Sequence, residues 1–312
     1  MSYKILLTST SFQDTPGQHH TLLDNYNFNI DRLRGPIKEE ALLEVIQNYD
    51  GVICGDDDYT EKVILKGAEG KLKVISKYGI GLDRINLEAA KKYHIPVTNC
   101  PGVNQVTVAE HVFALLLSSI KNIIPEYLYM KDQKWVRLIG TELFGKTIGI
   151  LGLGNVGKEV AIRANAFGLK VLAFDKYIDI QFSEKYNVTY INNIEEIIAN
   201  CDIISLNMSL DERTRNTISL SNINQLKSGV IIVNTARAGL VDQNAILQGL
   251  QTKKIGAYLT DVLDEEPIVK DHPLLNFNNV IITPHIGSRT YENVEKQGIM
   301  AVENLIKILV NK

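Results

Sequence analysis

Three polar residues in the second half of the chain have types that suit proton and hydride chemistry. Arg237, Glu266 and His285 each come shortly after an apolar run typical of a buried strand. In an open parallel sheet the carboxyl ends of the strands border the ligand crevice, so three such ends can serve one site. A guanidinium binds a carboxylate through two hydrogen bonds, and an imidazole exchanges a proton near neutral pH. An acidic neighbour orients that imidazole and raises its pKa. The set therefore suits hydroxyl–carbonyl interconversion beside a carboxylate, with no metal ion required.

Each of these residues also has an ordinary structural interpretation. Arg237 is equally typical of a solvated loop charge, and His285 of a hydrogen-bonded turn residue after Pro284. Glu266 is typical of a loop or of the start of a helix. The order of the three residues behind a cofactor-binding motif is what favours the functional interpretation.

A glycine-rich turn supplies that motif. Gly152-Leu-Gly154-Asn-Val-Gly157 stands between a predicted strand and a segment with helical periodicity. In a dinucleotide-binding turn the first glycine permits the tight turn and the second lets backbone N–H groups approach a pyrophosphate. The third lets the helix pack closely on the strand. The amino terminus of the helix adds a partial positive charge. The alternative is an ordinary strand–helix turn.

Asp175 follows the next predicted strand, 18 residues beyond Gly157. This spacing is close to the ~20 residues typical of a carboxylate that hydrogen-bonds the adenosine ribose. Its charge would repel a 2′-phosphate, so the sequence predicts NAD rather than NADP despite the adjacent Lys176. Asp261 is a separate candidate for contacting the nicotinamide amide.

Length and composition limit the class of protein. The 312 residues are 45% hydrophobic and 22% charged, which excludes a disordered or fibrous chain and leaves room for two domains. A net charge of −3 gives no reason to expect nucleic acid or a membrane as partner. The three scattered cysteines fit neither a disulfide framework nor a zinc site, and they predict a cytoplasmic protein. The amino-terminal apolar run is too short for a signal peptide.

Short apolar runs alternate with segments of helical periodicity, which predicts βαβ units and parallel sheets. The predicted strands are Lys4–Thr8, Gly51–Cys54, Lys73–Lys77, Thr147–Leu151, Lys170–Phe174, Ile203–Asn207, Val230–Asn234, Gly256–Thr260 and Val280–Thr283. The predicted helices are Lys38–Gln47, Leu87–Tyr93, Val106–Ile120, Lys158–Ala166, Asn193–Ala199, Gln243–Gly249 and Asn293–Leu309. A break at Pro96–Pro101 and a restart at Gly145 predict two α/β domains, the first of which ends near residue 98.

Together these strings resemble the D-isomer-specific 2-hydroxyacid dehydrogenases, and most of all the phosphoglycerate dehydrogenases among them. The segments that carry the resemblance span nearly the whole chain: Ser76–Asp83, Asn104–His111, Gly152–Gly157, Asn234–Asp242, Asp261–Pro267 and Thr283–Gly287. The resemblance implies two Rossmann-like, doubly wound parallel-sheet domains with an active-site cleft between them. Residues 1–98, completed by 287–312, would form the substrate domain, and residues 99–286 the NAD-binding domain. It also implies a homodimer built by the helical segment after Asn104, and a small 2-hydroxy or 2-oxo acid as substrate.

Roles for individual residues carry over from the resemblance. Arg237 would bind the substrate carboxylate and carbonyl, His285 would act as acid and base, and Glu266 would be its partner. Backbone N–H groups of the Tyr78-Gly79-Ile80 turn would hold the substrate carboxylate. Lys77, and Arg137 within Trp135-Val-Arg137, would be further substrate-binding residues. Contacts to NAD would come from Ile80, Thr107, Gly152, Gly154, Asn155, Val156, Gly157, Asp175, Met208, Thr235, Ala236, Asp261 and Gly287.

Several positions depart from the pattern of the phosphoglycerate enzymes. Lys77 replaces an arginine, and the loop Cys54-Gly-Asp-Asp-Asp58 carries three acids where those enzymes usually place an arginine. Carboxylates near the pocket would oppose a phosphorylated acid by ~1 kcal/mol per exposed pair. Alternatively, these acids face solvent or cap a helix beginning near Thr60. Asn207-Met-Ser209 replaces a usual His-x-Pro, and the absence of residues after Lys312 predicts that a serine-sensing domain is missing.

The favoured function is that of an NAD-dependent D-2-hydroxyacid dehydrogenase of the phosphoglycerate dehydrogenase type. One alternative is a reductase of an unphosphorylated 2-oxo acid, such as hydroxypyruvate, glyoxylate or a bulkier acid. Another is a non-catalytic NAD(H)-sensing binding protein, since relatives with this fold act in that way. A methyltransferase that uses a similar glycine turn is disfavoured by the glycine spacing and by the order of Arg237 and His285.

Overall fold

The computed structural model describes residues 2–310. The chain divides into two compact units. The first contains the residues up to Asn104 together with those from Ser288 onward, and the second is Gln105–Gly287. In each unit, apolar side chains form a cluster on either face of one parallel sheet. The fold class is therefore α/β with two parallel-sheet units.

All nine predicted strands are present, each within one residue of its predicted ends. The strands are β1 (Lys4–Leu7), β2 (Asn29–Arg32), β3 (Gly51–Cys54), β4 (Val74–Lys77), β5 (Val97–Thr98), β6 (Thr147–Leu151), β7 (Lys170–Phe174), β8 (Val188–Tyr190), β9 (Ile203–Leu206), β10 (Val230–Asn234), β11 (Ile255–Thr260) and β12 (Val280–Ile282). The helices are α1 (Thr10–Asp14), α2 (Gln18–Asp24), α3 (Glu39–Val45), α4 (Glu61–Glu69), α5 (Leu87–Lys92), α6 (Gln105–Ile120), α7 (Ile123–Lys131), α8 (Asn155–Ala166), α9 (Ile180–Lys185), α10 (Ile194–Asn200), α11 (Gln243–Gln251) and α12 (Tyr291–Leu309).

The sheet of the first unit has the strand order β2-β1-β3-β4-β5, and every pair is parallel. Its direction of winding reverses between β1 and β3, and in doubly wound sheets ligands bind outside the carboxyl ends of the strands at that point. The sequence pattern does not show where α12 packs. In the structure it lies on this sheet, where Val302 and Leu305 join Ile5, Ile53 and Val74 in one core cluster.

The sheet of the second unit has the order β12-β11-β10-β9-β6-β7-β8, also parallel throughout. Its strands are rich in Val, Ile and Leu because both faces are covered, by α6 and α8 on one side and by α10 and α11 on the other. The winding reverses between β6 and β9. This reversal places the ligand-binding edge at the carboxyl ends of those strands.

Within residues 2–310, no single helix has both the length and the apolar character needed to cross a membrane. One bent pair, α6 with α7, meets the criteria of length and composition, and its two helices join at 61°.

Candidate active site

The glycine turn connects β6 to α8 at the reversal point of the second sheet. Gly152 has a φ of +94°, and a Cβ there would lie 2.8 Å from the backbone nitrogen of Met208. A Cβ on Gly157 would lie 2.0 Å from the carbonyl oxygen of Gly152. These two glycines are therefore required by the packing of the turn itself, as the motif predicts.

Gly154 differs from Gly152 and Gly157 because the packing of the turn does not require a glycine at its position. Its φ is −71°, and a Cβ at this position would meet no atom within 4 Å. It precedes the first turn of α8, whose amino terminus has no side-chain cap. Open space beside uncapped N–H groups is the arrangement that binds phosphate at a helix amino terminus. The residues present therefore fit the pyrophosphate of a dinucleotide, with Asn155 and Val156 in that first turn.

Asp175 lies directly after β7, against the glycine turn. Its Oδ2 accepts a hydrogen bond from the Leu153 amide at 2.6 Å, and its Oδ1 accepts one from the Tyr177 amide at 2.8 Å. The carboxylate is half-buried, and each of its oxygens can accept a further bond. These contacts hold it at the end of the strand where a ribose hydroxyl is bound in this type of sheet.

Replacement of Asp175 by alanine is expected to weaken NADH relative to NADPH by at least about tenfold, because a charge-assisted hydrogen bond is worth ~1.5–3 kcal/mol. Fluorescence titration with both cofactors measures the ratio of their dissociation constants. Asp175→Asn is the control that retains an acceptor for Leu153 while removing the charge, and it should shift the ratio in the same direction. An unaltered ratio in both variants would refute the ribose assignment.

Two buried polar atoms beside the same sheet edge lack partners among the described residues. They are Oδ1 of Asn207, which follows β9, and Oγ1 of Thr235, which follows β10. Buried polar groups are almost always hydrogen-bonded, so each atom is a candidate partner for a bound ligand. Thr235 was expected to contact the cofactor, whereas the side chain of Asn207 was not. Met208 and Ala236, also expected there, pack beside the core on the same side of the sheet.

His285 and Glu266 are brought together. His285 Nδ1 and Glu266 Oε2 are 2.9 Å apart, and Glu266 Oε1 accepts a hydrogen bond from the Leu263 amide at 3.0 Å. Their side chains are 41% and 34% exposed, so the pair is accessible. With the carboxylate as acceptor, Nδ1 carries the proton, and Nε2 is the nitrogen turned away from Glu266.

Arg237 follows β10, and β10, β11 and β12 are adjacent in the sheet. The carboxyl ends that precede Arg237, Glu266 and His285 therefore lie side by side at one edge. The Arg237 backbone is extended, its carbonyl accepts a bond from Asn234 Nδ2 at 2.9 Å, and its Nη1 donates to the Ala236 carbonyl at 2.7 Å. The first contact fixes the Arg237 backbone at the strand end, and the second holds its guanidinium against the Ala236 carbonyl.

Asp261 is a buried carboxylate that ties down the loop around His285. It accepts hydrogen bonds from Thr283 Oγ1 at 2.6 Å, from the Ile286 amide at 2.9 Å and from the Gly287 amide at 2.7 Å. His111 Nε2 lies 3.4 Å away. Burial acts to raise the pKa of Asp261, but the bonds from His111 and these three donors outweigh it and hold the pKa below its usual value.

This positioning role is one that the sequence did not reveal, because it depends on contacts between α6, β11 and the loop after β12. The predicted contact of Asp261 with a nicotinamide amide stays a prediction. Thr107 is another predicted cofactor residue. Its Oγ1 donates to the Gly287 carbonyl at 3.3 Å, so it also holds the loop around His285.

The predicted substrate turn lies in the first unit, after β4. Gly79 has a φ of +132°, which favours glycine. The Tyr78 amide donates to the Cys54 carbonyl at 2.8 Å, so the prediction that this amide is available to a substrate is wrong. The amides of Gly79 and Ile80 donate to no acceptor in the part of the chain that the structure describes. The turn therefore offers two N–H groups rather than three.

The three acids of the loop after β3 have separate partners. Asp56 Oδ1 lies 2.6 Å from Lys77 Nζ, and Asp58 pairs with Arg84 at 3.1 Å. Asp57 is fully buried and accepts bonds from the Thr8 hydroxyl and, at 2.7 Å, from the Ile37 amide. Burial raises the pKa of Asp57, although these bonds oppose the shift. Thr60, and none of the acids, caps α4.

Arg137 lies in the stretch 132–146, which has no helix or strand, and its side chain is exposed. Its role in substrate binding stays a prediction. No group of three or more His, Cys, Asp or Glu residues capable of holding a metal ion is found in the described range.

Comparisons with known proteins agree with this geometry. Residues 113–287 match the family model described as "D-isomer specific 2-hydroxyacid dehydrogenase, NAD binding domain". The chain is 38% identical to a D-3-phosphoglycerate dehydrogenase of Methanocaldococcus jannaschii over 88% of its own length and 52% of that protein. It is 36% identical to a hydroxypyruvate reductase of Thermotoga maritima, covering 88% of this chain and 89% of that protein.

Among solved structures, a D-lactate dehydrogenase from Aquifex aeolicus in complex with NAD and lactic acid superposes with a TM-score of 0.86. It is 27% identical, and the match covers 98% of this chain and 96% of that one. The chain spans about half the length of the phosphoglycerate dehydrogenases that it matches.

Proposed function

The chain belongs to the D-isomer-specific 2-hydroxyacid dehydrogenase family, and from that membership we propose that it interconverts a 2-hydroxy acid and a 2-oxo acid with NAD(H). The observation that carries the proposal is the 2.9 Å pair of His285 and Glu266, at the same sheet edge as Arg237. A protein that only bound NAD would not need an imidazole oriented by a carboxylate. The arrangement supplies a proton at a defined atom, which is what carbonyl reduction needs.

NAD(H), when bound, supplies or accepts the hydride. Gly154 and the first turn of α8 would hold its pyrophosphate, and Asp175 its adenosine ribose. Other predicted contacts, from Thr107, Met208, Thr235, Ala236, Asp261 and Gly287, belong to the same unit. Among these residues, Thr235 gains most from a bound ligand, because its buried hydroxyl has no partner within residues 2–310.

Three side chains of the second unit would act on the substrate. Arg237 binds its carboxylate and polarises its carbonyl, which a planar guanidinium does with paired donors. Nε2 of His285 donates a proton to the carbonyl oxygen during reduction and removes it during oxidation. Glu266 stabilises the imidazolium that oxidation produces. Asp261 keeps the histidine loop in place without entering the reaction.

In the first unit, the amides of Gly79 and Ile80 would bind the substrate carboxylate, since donor pairs of this kind hold oxyanions. Arg137, within Trp135-Val-Arg137, is proposed as a further substrate contact on the strength of the resemblance.

A homodimer is part of the proposal. Many large apolar side chains of α7 and of the irregular stretch that follows are exposed, and these include Tyr127, Leu128, Trp135, Ile139 and Phe144. An apolar surface of this kind is typical of an interface between proteins. We also propose a cytoplasmic location, which the three free, buried cysteines support.

A panel of 2-oxo acids tests the proposed function. NADH absorbance is followed with the purified chain and hydroxypyruvate, glyoxylate, pyruvate and phosphohydroxypyruvate, in separate reactions. We expect turnover of at least one acid, with a higher kcat/KM for NADH than for NADPH. Tight NADH binding without turnover of any acid would contradict the proposed dehydrogenase activity and favour a protein that senses the cofactor without catalysis.

A further inference from the structure

We propose that the ion pair between Lys77 and Asp56 makes the protein select 2-oxo acids with an uncharged side chain and reject phosphorylated ones. The inference rests on the proposed dehydrogenase function, and it adds the class of substrate. It follows from the contacts at the carboxyl edge of the first sheet. Sequence comparison alone does not decide whether the substrate is a phosphorylated or an unphosphorylated acid.

The pair lies at the place in the first unit where a ligand is expected. The winding of this sheet reverses between β1 and β3, and the crevice of such a sheet lies beyond the carboxyl ends of its strands. Asp56 follows β3, and Lys77 is the last residue of the neighbouring β4. Lys77 directly precedes the turn whose Gly79 and Ile80 amides are proposed to bind the substrate carboxylate.

The ammonium of Lys77 is hydrogen-bonded to two acceptors within the protein. Its side chain is 5% exposed, and Nζ donates to Asp56 Oδ1 at 2.6 Å and to the Gly55 carbonyl at 2.7 Å. The ammonium and the carboxylate together carry no net charge, so the pair offers an incoming anionic group no net positive charge. A second anionic group on the substrate would therefore meet the Asp56 carboxylate, which is 64% exposed, instead of an unneutralised ammonium.

The loop that carries Asp56 is held by buried hydrogen bonds of the next residue, Asp57. Asp57, fully buried, binds the Thr8 hydroxyl at the end of β1 and the Ile37 amide. These contacts join β1, β3 and the segment before α3 and fix the backbone of the loop. The loop thereby carries Asp56 beside Lys77, with which its side chain pairs.

Other charges near this edge have partners of their own. Asp58, whose side chain is 20% exposed, pairs with Arg84 and Lys38. Arg289, at the start of the last segment of the unit, donates to Thr10 Oγ1 at 3.2 Å and is exposed to solvent. Lys77, at 5% exposure, is more buried than any of these charges, so its interaction with a substrate group would be screened least by solvent.

Asp56→Asn tests the proposal, because it releases Lys77 from its carboxylate at a largely exposed position. The wild type should have a kcat/KM for hydroxypyruvate at least about tenfold higher than for phosphohydroxypyruvate, and Asp56→Asn should reduce that preference by about tenfold or more. Asp58→Asn is the matched control, since it removes the same charge from the same loop but leaves Lys77 paired. It should leave the preference within about twofold of the wild type.

Three results would overturn the proposal. The first is a wild-type preference for phosphohydroxypyruvate, and the second is an unchanged preference in Asp56→Asn. The third is a change of preference in Asp58→Asn as large as that in Asp56→Asn, because it would show that the total charge of the loop decides the preference. Circular dichroism and thermal melting confirm folding, and Asp56→Ser serves if the asparagine variant is unstable. Failure of the wild type to reduce any acid would instead refute the dehydrogenase function on which this inference depends.

Discussion

His285→Ala is expected to lower kcat by about 10²–10⁴-fold while the dissociation constant of NADH changes by less than about threefold. The physical reason is that Nε2 is the atom proposed to exchange the hydroxyl proton, whereas the glycine turn and Asp175, proposed to hold the cofactor, lie at other strands. Steady-state turnover and NADH fluorescence titration on the same preparation separate the two effects.

His94→Ala provides the matched control for this substitution. His94 has a φ of +56° and His285 a φ of +54°, so both histidines occupy the left-handed region and both variants make the same change there. His94 is exposed and lies outside the second unit. Its variant should keep wild-type turnover. A kcat for His285→Ala within a factor of about three of the wild type would refute the acid–base role.

The second large effect is expected at Gly154. Gly154→Ala should weaken NADH by at least about tenfold, equivalent to ~1.4 kcal/mol, with little change in Tm. Its Cβ would enter space that is empty in the protein but lies in front of the amides of α8. A φ of −71° suits alanine, so the backbone is not strained.

Gly157→Ala gives the opposite result and so separates binding from folding. Its Cβ would lie 2.0 Å from the Gly152 carbonyl oxygen, a clash that should lower Tm or prevent folding. Thermal melts and NADH titrations on the two variants make the comparison. Wild-type NADH affinity in Gly154→Ala would show that the open space beside α8 does not hold the pyrophosphate.

The central strands could be predicted from the sequence, whereas β2, β5 and β8 could not. β10, with its run of Val and Ile, is covered on both faces and reads as continuously apolar. β2 and β8 lie at sheet edges, and β2 has the polar sequence Asn-Ile-Asp-Arg, which lacks any apolar pattern. β5 is only two residues long. Burial on both sides creates the strongest signal, and the edge strand β12 was predicted without it because its residues Val-Ile-Ile are all apolar.

The candidate site divides in the same way. Arg237, His285 and the glycine turn were found because each sits at a strand end with a recognisable residue type. The clamp of Asp261 on the histidine loop and the pairing of Asp56 with Lys77 were not found, because both depend on which distant segments meet in three dimensions. The sequence left open whether the acids after β3 oppose a phosphate, face solvent or cap a helix, and the structure assigns each acid a different partner.

The Asp261 clamp has a consequence for how ligands are captured. Donors on both sides of His285, namely Thr283, Ile286 and Gly287, are bonded to one buried carboxylate of the protein itself. The loss of backbone entropy that accompanies ordering of this loop is therefore incurred while the chain folds. Preorganised loops of this kind bind without that penalty, so the affinity for a small acid can come from a few contacts alone.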